Sequence, residues 1–173
     1  MKKSFFLIVL FMAAICTAGA VEGDTITYLS KSQLEWSDFR MNPDISDSSK
    51  LTLNLTIVTI TKDVGLWFGT ITVESVAGIR RDSSWVKPEF MSEQLLKYAQ
   101  IKYDIAHFYA KECEKEINER KINAGSTRKI GKIIQSYIDK MNTQLVNFRI
   151  ETAEGDNSEA IDLWRAKLTN GSM

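Results

Sequence analysis

Few side chains in this sequence could carry out acid–base or nucleophilic chemistry. The chain contains one histidine, His107, and two cysteines, Cys16 and Cys113. A zinc site of the HExxH type needs two histidines one helical turn apart, so a single histidine excludes it. His107 and Cys113 lie six residues apart on a predicted helix, about 240° apart around its axis, so they do not face each other. A serine–histidine–acid site assembled by the fold stays open, but no nucleophile elbow supports it. We interpret His107 as a surface or satisfied helix residue.

Two further patterns on the same stretch suggest chemistry. Asp104 and Glu112 offer carboxylates for general acid–base catalysis, which keeps a divergent hydrolase as an alternative. Tyr98 and Lys102 have the Y-x-x-x-K spacing of short-chain dehydrogenases. Those enzymes need a glycine-rich dinucleotide-binding turn in a βαβ unit. The sequence has no such turn, so we treat the spacing as a coincidence.

The composition narrows the class of protein. The chain has 173 residues, with 22 Lys+Arg and 22 Asp+Glu. One domain is expected at this length, large enough to form a core without disulfides. The balanced charge argues against nucleic acid as a partner, because phosphate binding normally requires a clustered excess of Lys and Arg.

The first residues have the pattern of a secretory signal peptide. Lys2 and Lys3 form a short basic segment, residues 5–15 are almost all apolar, and Ala18-Gly19-Ala20 supplies the small residues of a cleavage site. The apolar run is too short for a comfortable permanent anchor, and no other run of spanning length follows. We therefore predict a signal peptide at residues 1–20, and export to the periplasm or the extracellular space without a transmembrane anchor.

Cleavage after Ala20 would leave a single mature domain, residues 21–173. This mature chain has 20 basic and 22 acidic residues, a formal net charge of −2, and Cys113 as its one cysteine. No intramolecular disulfide is then available. Because Cys113 lies on an apolar stripe, we expect it to be buried. Lipidation of Cys16 is not expected, since Ile15 stands where lipoprotein processing needs a small residue.

Strand patterns precede helix patterns along the mature chain. Short extended segments are predicted at residues 26–29 and 34–39. Residues 51–61 and 66–76 are rich in Thr, Ile and Val at alternating positions and flank a turn at residues 62–65, which predicts an antiparallel hairpin.

Apolar residues at helical spacing predict three helices in the second half. They cover residues 90–121, a segment that starts at the N-cap Ser126, and residues 157–168. Strands followed by helices indicate an α+β fold. We expect an antiparallel sheet of three to five strands packed against two long helices and a short C-terminal helix.

Four separated segments form an ordered set of short motifs: residues 34–39 (LEWSDF), 84–87 (SWVK), 95–105 (LLKYAQIKYDI) and 151–155 (ETAEG). Together they resemble a bacterial family of exported proteins, classified as a domain of unknown function and described as secreted zinc-dependent proteases. Residues 34–39 (LEWSDF) resemble its L-x-W-x-D-F opening, and residues 84–87 (SWVK) resemble a segment before its main helix. Residues 95–105 (LLKYAQIKYDI) align with its L-L-x-H-E-Q-x-H-F-D-I core, and residues 151–155 (ETAEG) with an E-T-x-x-G segment. The resemblance implies a zincin-like α+β domain.

The same alignment places other residues where the family has its zinc site. Tyr98 and Lys102 replace the two zinc-binding histidines, and Ala99 replaces the catalytic glutamate. Glu154 lies where members of the family often have a further histidine. Alanine cannot accept a proton from a zinc-bound water, and a lysine ammonium repels a cation. The resemblance therefore implies a pseudoenzyme that has lost its zinc, with no cofactor.

A specific hypothesis follows for these degenerate positions. Lys102 could place an ammonium where the family holds its metal, and Glu154 could form a salt bridge with it. The alternative is that Lys102 is solvated and the former site has opened, since exposed ion pairs contribute little.

We expect a non-catalytic binding or scaffold protein of the bacterial envelope, with an unidentified envelope protein or peptide as partner. Retained binding is expected in the former cleft near Tyr98, Lys102 and Glu154, with Asp104 and His107 as further lining residues. The alternative is a divergent hydrolase that uses other residues. An enzyme should present a concave pocket with converging titratable groups, whereas a scaffold should present a filled cleft.

Overall fold

A computed structural model describes residues 24–65 and 69–171 of the chain. The predicted signal peptide, its cleavage site and Cys16 lie outside these residues. The strands and helices of the described part, in chain order, are β1 (Thr25–Thr27), β2 (Leu51–Thr52), β3 (Leu55–Val64), β4 (Ile71–Arg80), β5 (Trp85–Val86), α1 (Glu93–Glu119), α2 (Thr127–Glu151) and α3 (Ser158–Thr169). This order of strands before helices confirms the predicted α+β class. The zincin-like assignment stays a prediction.

Strand β4 is the centre of a three-stranded antiparallel sheet with the order β1-β4-β3. The long pairing of β3 with β4 runs from Leu55 opposite Ile79 to Val64 opposite Ile71, with a bulge between Thr61 and Asp63. Strands β2 and β5 form a separate two-stranded antiparallel ladder. The predicted hairpin and the antiparallel sheet are therefore confirmed.

The hairpin turn lies further along the chain than predicted. Strand β3 continues through residues 62–64, and the turn is closed by the Gly65 N–H, which donates to the Thr70 carbonyl at 2.8 Å. Gly69 supplies a left-handed backbone with φ of 57°, which glycine adopts without a steric cost. The bulge takes up one extra residue, so β3 stays paired beyond the predicted turn. Residues 66–68 of the predicted second strand lie outside the described residues.

The prediction of an extended segment at residues 34–39 is wrong. Trp36–Asp38 forms a 3₁₀ turn instead. The carboxylate of Asp38 accepts the Glu35 N–H at 2.9 Å and lies 2.7 Å from Lys31 Nζ. These two contacts favour the turn, since a side chain that satisfies a backbone N–H replaces a strand partner.

Helix α1 is the central element of the fold. It packs against β4 and β3 on one side and against α2 and α3 on the other. Its buried residues surround much more of the helix than one stripe: Leu95, Tyr98, Ala99, Ile101, Tyr103, Ile105, Ala106, Tyr109, Ala110, Cys113 and Ile117. A helix that is apolar over most of its circumference is one packed on several sides.

The helix boundaries agree with the predictions to within three residues. Ser92 caps α1 by accepting the Leu95 N–H at 3.2 Å, and Asn157 caps α3 by accepting the Ala160 N–H at 3.1 Å. Both caps satisfy N–H groups that the first turn leaves without partners. Ser126 is at the N-cap position of α2 as predicted, but its side chain makes no capping hydrogen bond. No helix within the described ranges is long and apolar enough to cross a membrane.

Candidate functional site

Tyr98 and Ala99, two of the degenerate positions, belong to the packed core. Tyr98 is 3% exposed and stacks on Phe148 of α2, with ring centroids 5.0 Å apart and planes at 16°. Ala99 is fully buried. Its methyl group cannot exchange a proton, and its position leaves no room for a substrate.

The ETAEG segment folds back onto α1 at the same place. Gly155 has φ of +97° and lies so close to Tyr98 that an added Cβ would come within 3.1 Å of Tyr98 Cγ. Ala153 and Glu154 precede it with φ of 48° and 55°, also in the left-handed region. Gln94 of α1 holds the turn by donating to the Gly155 carbonyl at 2.6 Å. The structure therefore brings Tyr98, Lys102 and Glu154 together, although 52 residues separate Lys102 from Glu154 in the chain.

These three residues line a cavity of about 30 Å³, which we call the Lys102 recess. Its other lining residues are Ser49, Lys50, Leu51 and Arg149. The recess can hold a water molecule or a ligand of a few atoms, since one water needs at least about 10–15 Å³. It is therefore too small for the peptide that the sequence led us to expect there.

Lys102 has an unusual electrostatic environment in this recess. The pKa of its ammonium is lowered to about 8, mainly by burial and to a smaller extent by the nearby Arg149 guanidinium, while Glu154 acts in the opposite direction. Its Nζ lies 5.5 Å from the centroid of the Tyr98 ring. Among the described residues, no carboxylate oxygen lies within 4.0 Å of it.

The hypothesised salt bridge between Lys102 and Glu154 is not present in the structure. Glu154 Oε1 instead lies 3.7 Å from Arg149 Nη1, and both side chains are about half exposed. Arg149 stands on the last turn of α2, closer to solvent than Lys102, so Glu154 can pair with it without losing its hydration. The C-terminal segment is fixed to α1 by other contacts, including an ion pair between Lys97 and Asp162.

Asp104 and His107 lie on another face of α1, next to Tyr28. Asp104 accepts hydrogen bonds from the Tyr28 hydroxyl at 3.1 Å and from Gln100 Nε2 at 2.8 Å. Burial raises the pKa of Asp104 above its usual value. His107 stacks on the Tyr28 ring, with centroids 3.8 Å apart and planes at 3°. These contacts hold the N-terminal segment against α1, and they do not line the Lys102 recess.

His107 is less well satisfied than the sequence suggested. Its Nδ1 is buried and has no hydrogen-bond partner among the described residues. Burial lowers the pKa of the imidazole, and Lys111 acts in the same direction. The ring is therefore held neutral by its surroundings, and it acts as a packing partner of Tyr28.

The structure does not assemble the carboxylate pair of the hydrolase alternative. Asp104 and Glu112 are eight residues apart on one straight helix, a rise of about 12 Å. Asp104 faces Tyr28, whereas Glu112 lies near Tyr109 and Tyr137 on the α2 side. Residues 24–65 and 69–171 contain no group of three or more His, Cys, Asp or Glu side chains placed to hold a metal ion.

Cys113 is fully buried, as predicted. Burial is the main cause that raises the pKa of its thiol to about 12, and Glu116 and Glu114 act in the same direction. A thiol that stays protonated at neutral pH is a poor nucleophile and a poor metal ligand.

A second recess, much larger than the Lys102 recess, lies between the end of α1 and the start of α2. This basic groove has a volume of about 750 Å³ and is lined by four cationic side chains: Arg120, Lys121, Lys129 and Lys132. Its one acidic lining residue is Glu116, which pairs with Arg120 at 2.6 Å and accepts the Tyr137 hydroxyl at 2.8 Å. In the described part of the chain, Lys121, Lys129 and Lys132 have no carboxylate within 4.0 Å.

Sequence reasoning missed this groove and missed Arg149. Lys129 and Lys132 are three residues apart in α2, so they lie on one side of the helix, and that spacing was visible in the sequence. No comparable spacing indicates that Arg120 and Lys121 lie opposite them, because their position depends on the connection between α1 and α2.

Comparison of the sequence with protein-family models and with curated proteins, and of the structure with solved structures, found no match. The resemblance to the secreted zinc-dependent proteases therefore stays a prediction.

Proposed function

We propose that this chain is an exported, non-catalytic binding protein of the bacterial envelope, and that it binds an acidic segment of a partner protein in the basic groove. The proposal combines the predicted signal peptide and the family resemblance with the chemistry of the two recesses. The observation that carries it is the set of three lysines, Lys121, Lys129 and Lys132, that face one groove without acidic partners.

The chemistry of the Lys102 recess supports the non-catalytic part of the proposal. Family-type hydrolysis needs a metal ligand and a proton acceptor at positions that hold Lys102 and Ala99. An ammonium beside Arg149 disfavours a divalent cation, since like charges repel strongly where solvent is scarce. Tyr98, which lines this recess, stacks on Phe148 with ring centroids 5.0 Å apart, so its ring is a packing element of the core.

The size and charge of the basic groove support the binding part. A volume of about 750 Å³ accommodates several side chains of an extended peptide. Four cations against one paired carboxylate give the groove a positive potential, although the predicted mature chain has a net charge of −2. Electrostatic complementarity of this kind favours acidic partners and speeds their association.

The test is binding of a fluorescently labelled hexaglutamate peptide, measured by anisotropy with protein expressed from the full-length sequence and recovered after export. The test variant carries Lys129→Glu and Lys132→Glu. The control variant carries Lys115→Glu and Arg165→Glu, which change the net charge equally at exposed positions outside the groove.

We expect the groove variant to bind at least about tenfold more weakly, a loss of ~1.4 kcal/mol, and the control variant to bind within about twofold of the parent. Binding should weaken as salt is added, because exposed charges are screened. No binding by the parent, or equal losses in both variants, would contradict the assignment of the groove. Hydrolysis of peptides by the purified protein, abolished by Asp104→Asn or Glu112→Gln, would support the divergent hydrolase instead.

A further inference from the structure

The Lys102 recess combines an amine with an environment that favours its neutral form. Lys102 of α1 and Arg149 of α2 line a cavity of about 30 Å³, and Lys102 Nζ lies 5.5 Å from the centroid of the Tyr98 ring. No carboxylate of the described chain lies within 4.0 Å of its Nζ. An ammonium that is largely removed from solvent and has no ion-pair partner is costly, so the amine gives up its proton readily.

The recess also offers positive charge to an anion that forms on this amine. Arg149 and Lys50 line the cavity, and Lys50 forms an ion pair with Asp156. Glu154, the one acidic lining residue, is half exposed and already lies beside Arg149. The titratable and charged groups that face Lys102 are therefore Tyr98, Arg149, Glu154 and Lys50, from α1, α2, the turn after α2 and the segment before β2.

We infer that Lys102 is a site of reversible carbamate formation with carbon dioxide. The nitrogen lone pair attacks the carbon of CO₂, and one C=O π pair moves onto an oxygen. The nitrogen then releases one proton to water or to the Glu154 carboxylate. The balance is amine plus CO₂ to carbamate anion plus one proton, without an oxidant or a further reactant.

The size of the recess suits this reactant. A cavity of about 30 Å³ has room for a linear three-atom molecule such as CO₂ beside the Lys102 amine. The carbamate anion replaces a cation with an anion next to Arg149, and an Arg guanidinium binds a carboxylate-like group through two parallel N–H donors. Solvent reaches the rim through the exposed side chains of Arg149 and Glu154, so CO₂ can enter.

The protonation state of Lys102 also favours carbamate formation, because only the neutral amine attacks CO₂. With a pKa of about 8, a large share of Lys102 amines is neutral in mildly alkaline buffer. An ordinary lysine, with a pKa of about 10.4, is less than about 1% neutral at pH 8. The N-terminal amine that the predicted cleavage would leave has an ordinary pKa of about 7.7–8.0 and serves as an internal standard.

The experiment uses the exported protein in buffer at pH 8 with ¹³C-labelled bicarbonate in equilibrium with CO₂. Triethyloxonium converts any carbamate to a stable ethyl ester, and peptide mass spectrometry then identifies the labelled residue. We expect label on Lys102 and on the N-terminal amine, and little on Lys97 and Lys115. Arg149→Gln should reduce the labelling of Lys102 severalfold without changing that of the N-terminal amine.

Lys102→Arg keeps the positive charge and removes the reactive amine. A ¹³C NMR spectrum of the parent should show a carbamate resonance from Lys102, and this resonance should be absent from the spectrum of the Lys102→Arg variant. Circular dichroism establishes that each variant is folded. If Lys102→Arg does not fold, the exposed Arg149→Gln variant still tests the proposal. Labelling of the N-terminal amine without Lys102, labelling of Lys102 that does not depend on Arg149, or bicarbonate held without a covalent bond would each overturn the inference.

Discussion

Gly155 lies directly against the ring of Tyr98, so that a Cβ at Gly155 would make unusually tight contacts, at 3.1 Å from Tyr98 Cγ and 3.3 Å from Leu95 Cδ1. This contact joins the turn after α2 to the middle of the fold. It holds the turn that contains Glu154 close to the part of α1 that contains Tyr98 and Lys102, and these three residues line the Lys102 recess.

Gly155→Ala should therefore destabilise the protein by about 1–3 kcal/mol, because the new methyl group meets Tyr98 and the backbone at φ of +97° is strained for alanine. Urea unfolding followed by tryptophan fluorescence measures the change. Gly131→Ala in α2 is the matched control, since nothing lies within 4 Å of its Cβ, and it should stabilise by about 0.5–1 kcal/mol. Equal effects at the two sites would contradict the packing of Gly155 on Tyr98.

Lys102→Met should stabilise the protein at neutral pH by on the order of 1 kcal/mol, because it removes a buried cation that has no close carboxylate. The pKa of Lys102 is about 8 when folded and 10.5 in its ordinary state, so the unfolded chain binds more protons between these values. The contribution of Lys102 therefore becomes less unfavourable as the pH rises from 8 to 10.5.

The measurement for this variant is the difference in free energy of unfolding between variant and parent at pH 7, 9 and 10.5. The advantage of Lys102→Met should shrink along this series. A difference that is constant with pH, or a variant less stable than the parent at pH 7, would show that Lys102 is not held in a low-pKa environment.

His107 should make the protein less stable in mild acid. Its pKa is lowered in the folded state from 6.5, so the unfolded chain binds more protons as the pH falls below 6.5, and stability decreases in that range. Lys111 strengthens the effect and Glu114 opposes it. His107→Gln should lose less stability than the parent between pH 7.5 and pH 5, measured from urea midpoints. Identical pH dependence of the two proteins would rule out this role of His107.

Asp38→Ala should cost about 2–4 kcal/mol. Asp38 is 1% exposed, accepts the Glu35 N–H at 2.9 Å and pairs with Lys31 at 2.7 Å, so its removal leaves buried polar groups without partners. Glu35→Ala is the control: Glu35 contacts the same Lys31 at 3.1 Å but is 69% exposed, and its loss should cost at most about 0.5 kcal/mol. Thermal unfolding of the two variants separates these cases, and a small effect of Asp38→Ala would contradict the account of this turn.

The three helices could be predicted from the sequence because each buries apolar residues at a spacing of three or four. That spacing is visible within each helical segment and does not depend on how distant segments pack together. The hairpin turn could not be placed, because the bulge after Thr61 and the left-handed Gly69 depend on how β3 and β4 pair. Residues 36–38 form a turn because the Asp38 carboxylate accepts the Glu35 N–H and pairs with Lys31, contacts that the apolar pattern of residues 34–39 does not indicate.

The Lys102 recess, like the fold, could be predicted only in part from the sequence. The alignment of Tyr98, Lys102 and Glu154 led to the expectation that they belong to one site, and they line one recess. The pairing of Glu154 with Arg149 was not predictable, since it depends on where α2 ends relative to the following turn. The basic groove depends in the same way on the connection between α1 and α2.

The most direct test of the proposal that this domain is a non-catalytic binding protein without a zinc ion is the metal content of the exported protein. The protein is purified without chelators, established as folded by circular dichroism, and analysed by plasma mass spectrometry. The account predicts a cooperatively folded protein with far less than one zinc per chain. Near-stoichiometric zinc that survives dialysis would contradict it and would point to a metal site that the Lys102 recess does not explain.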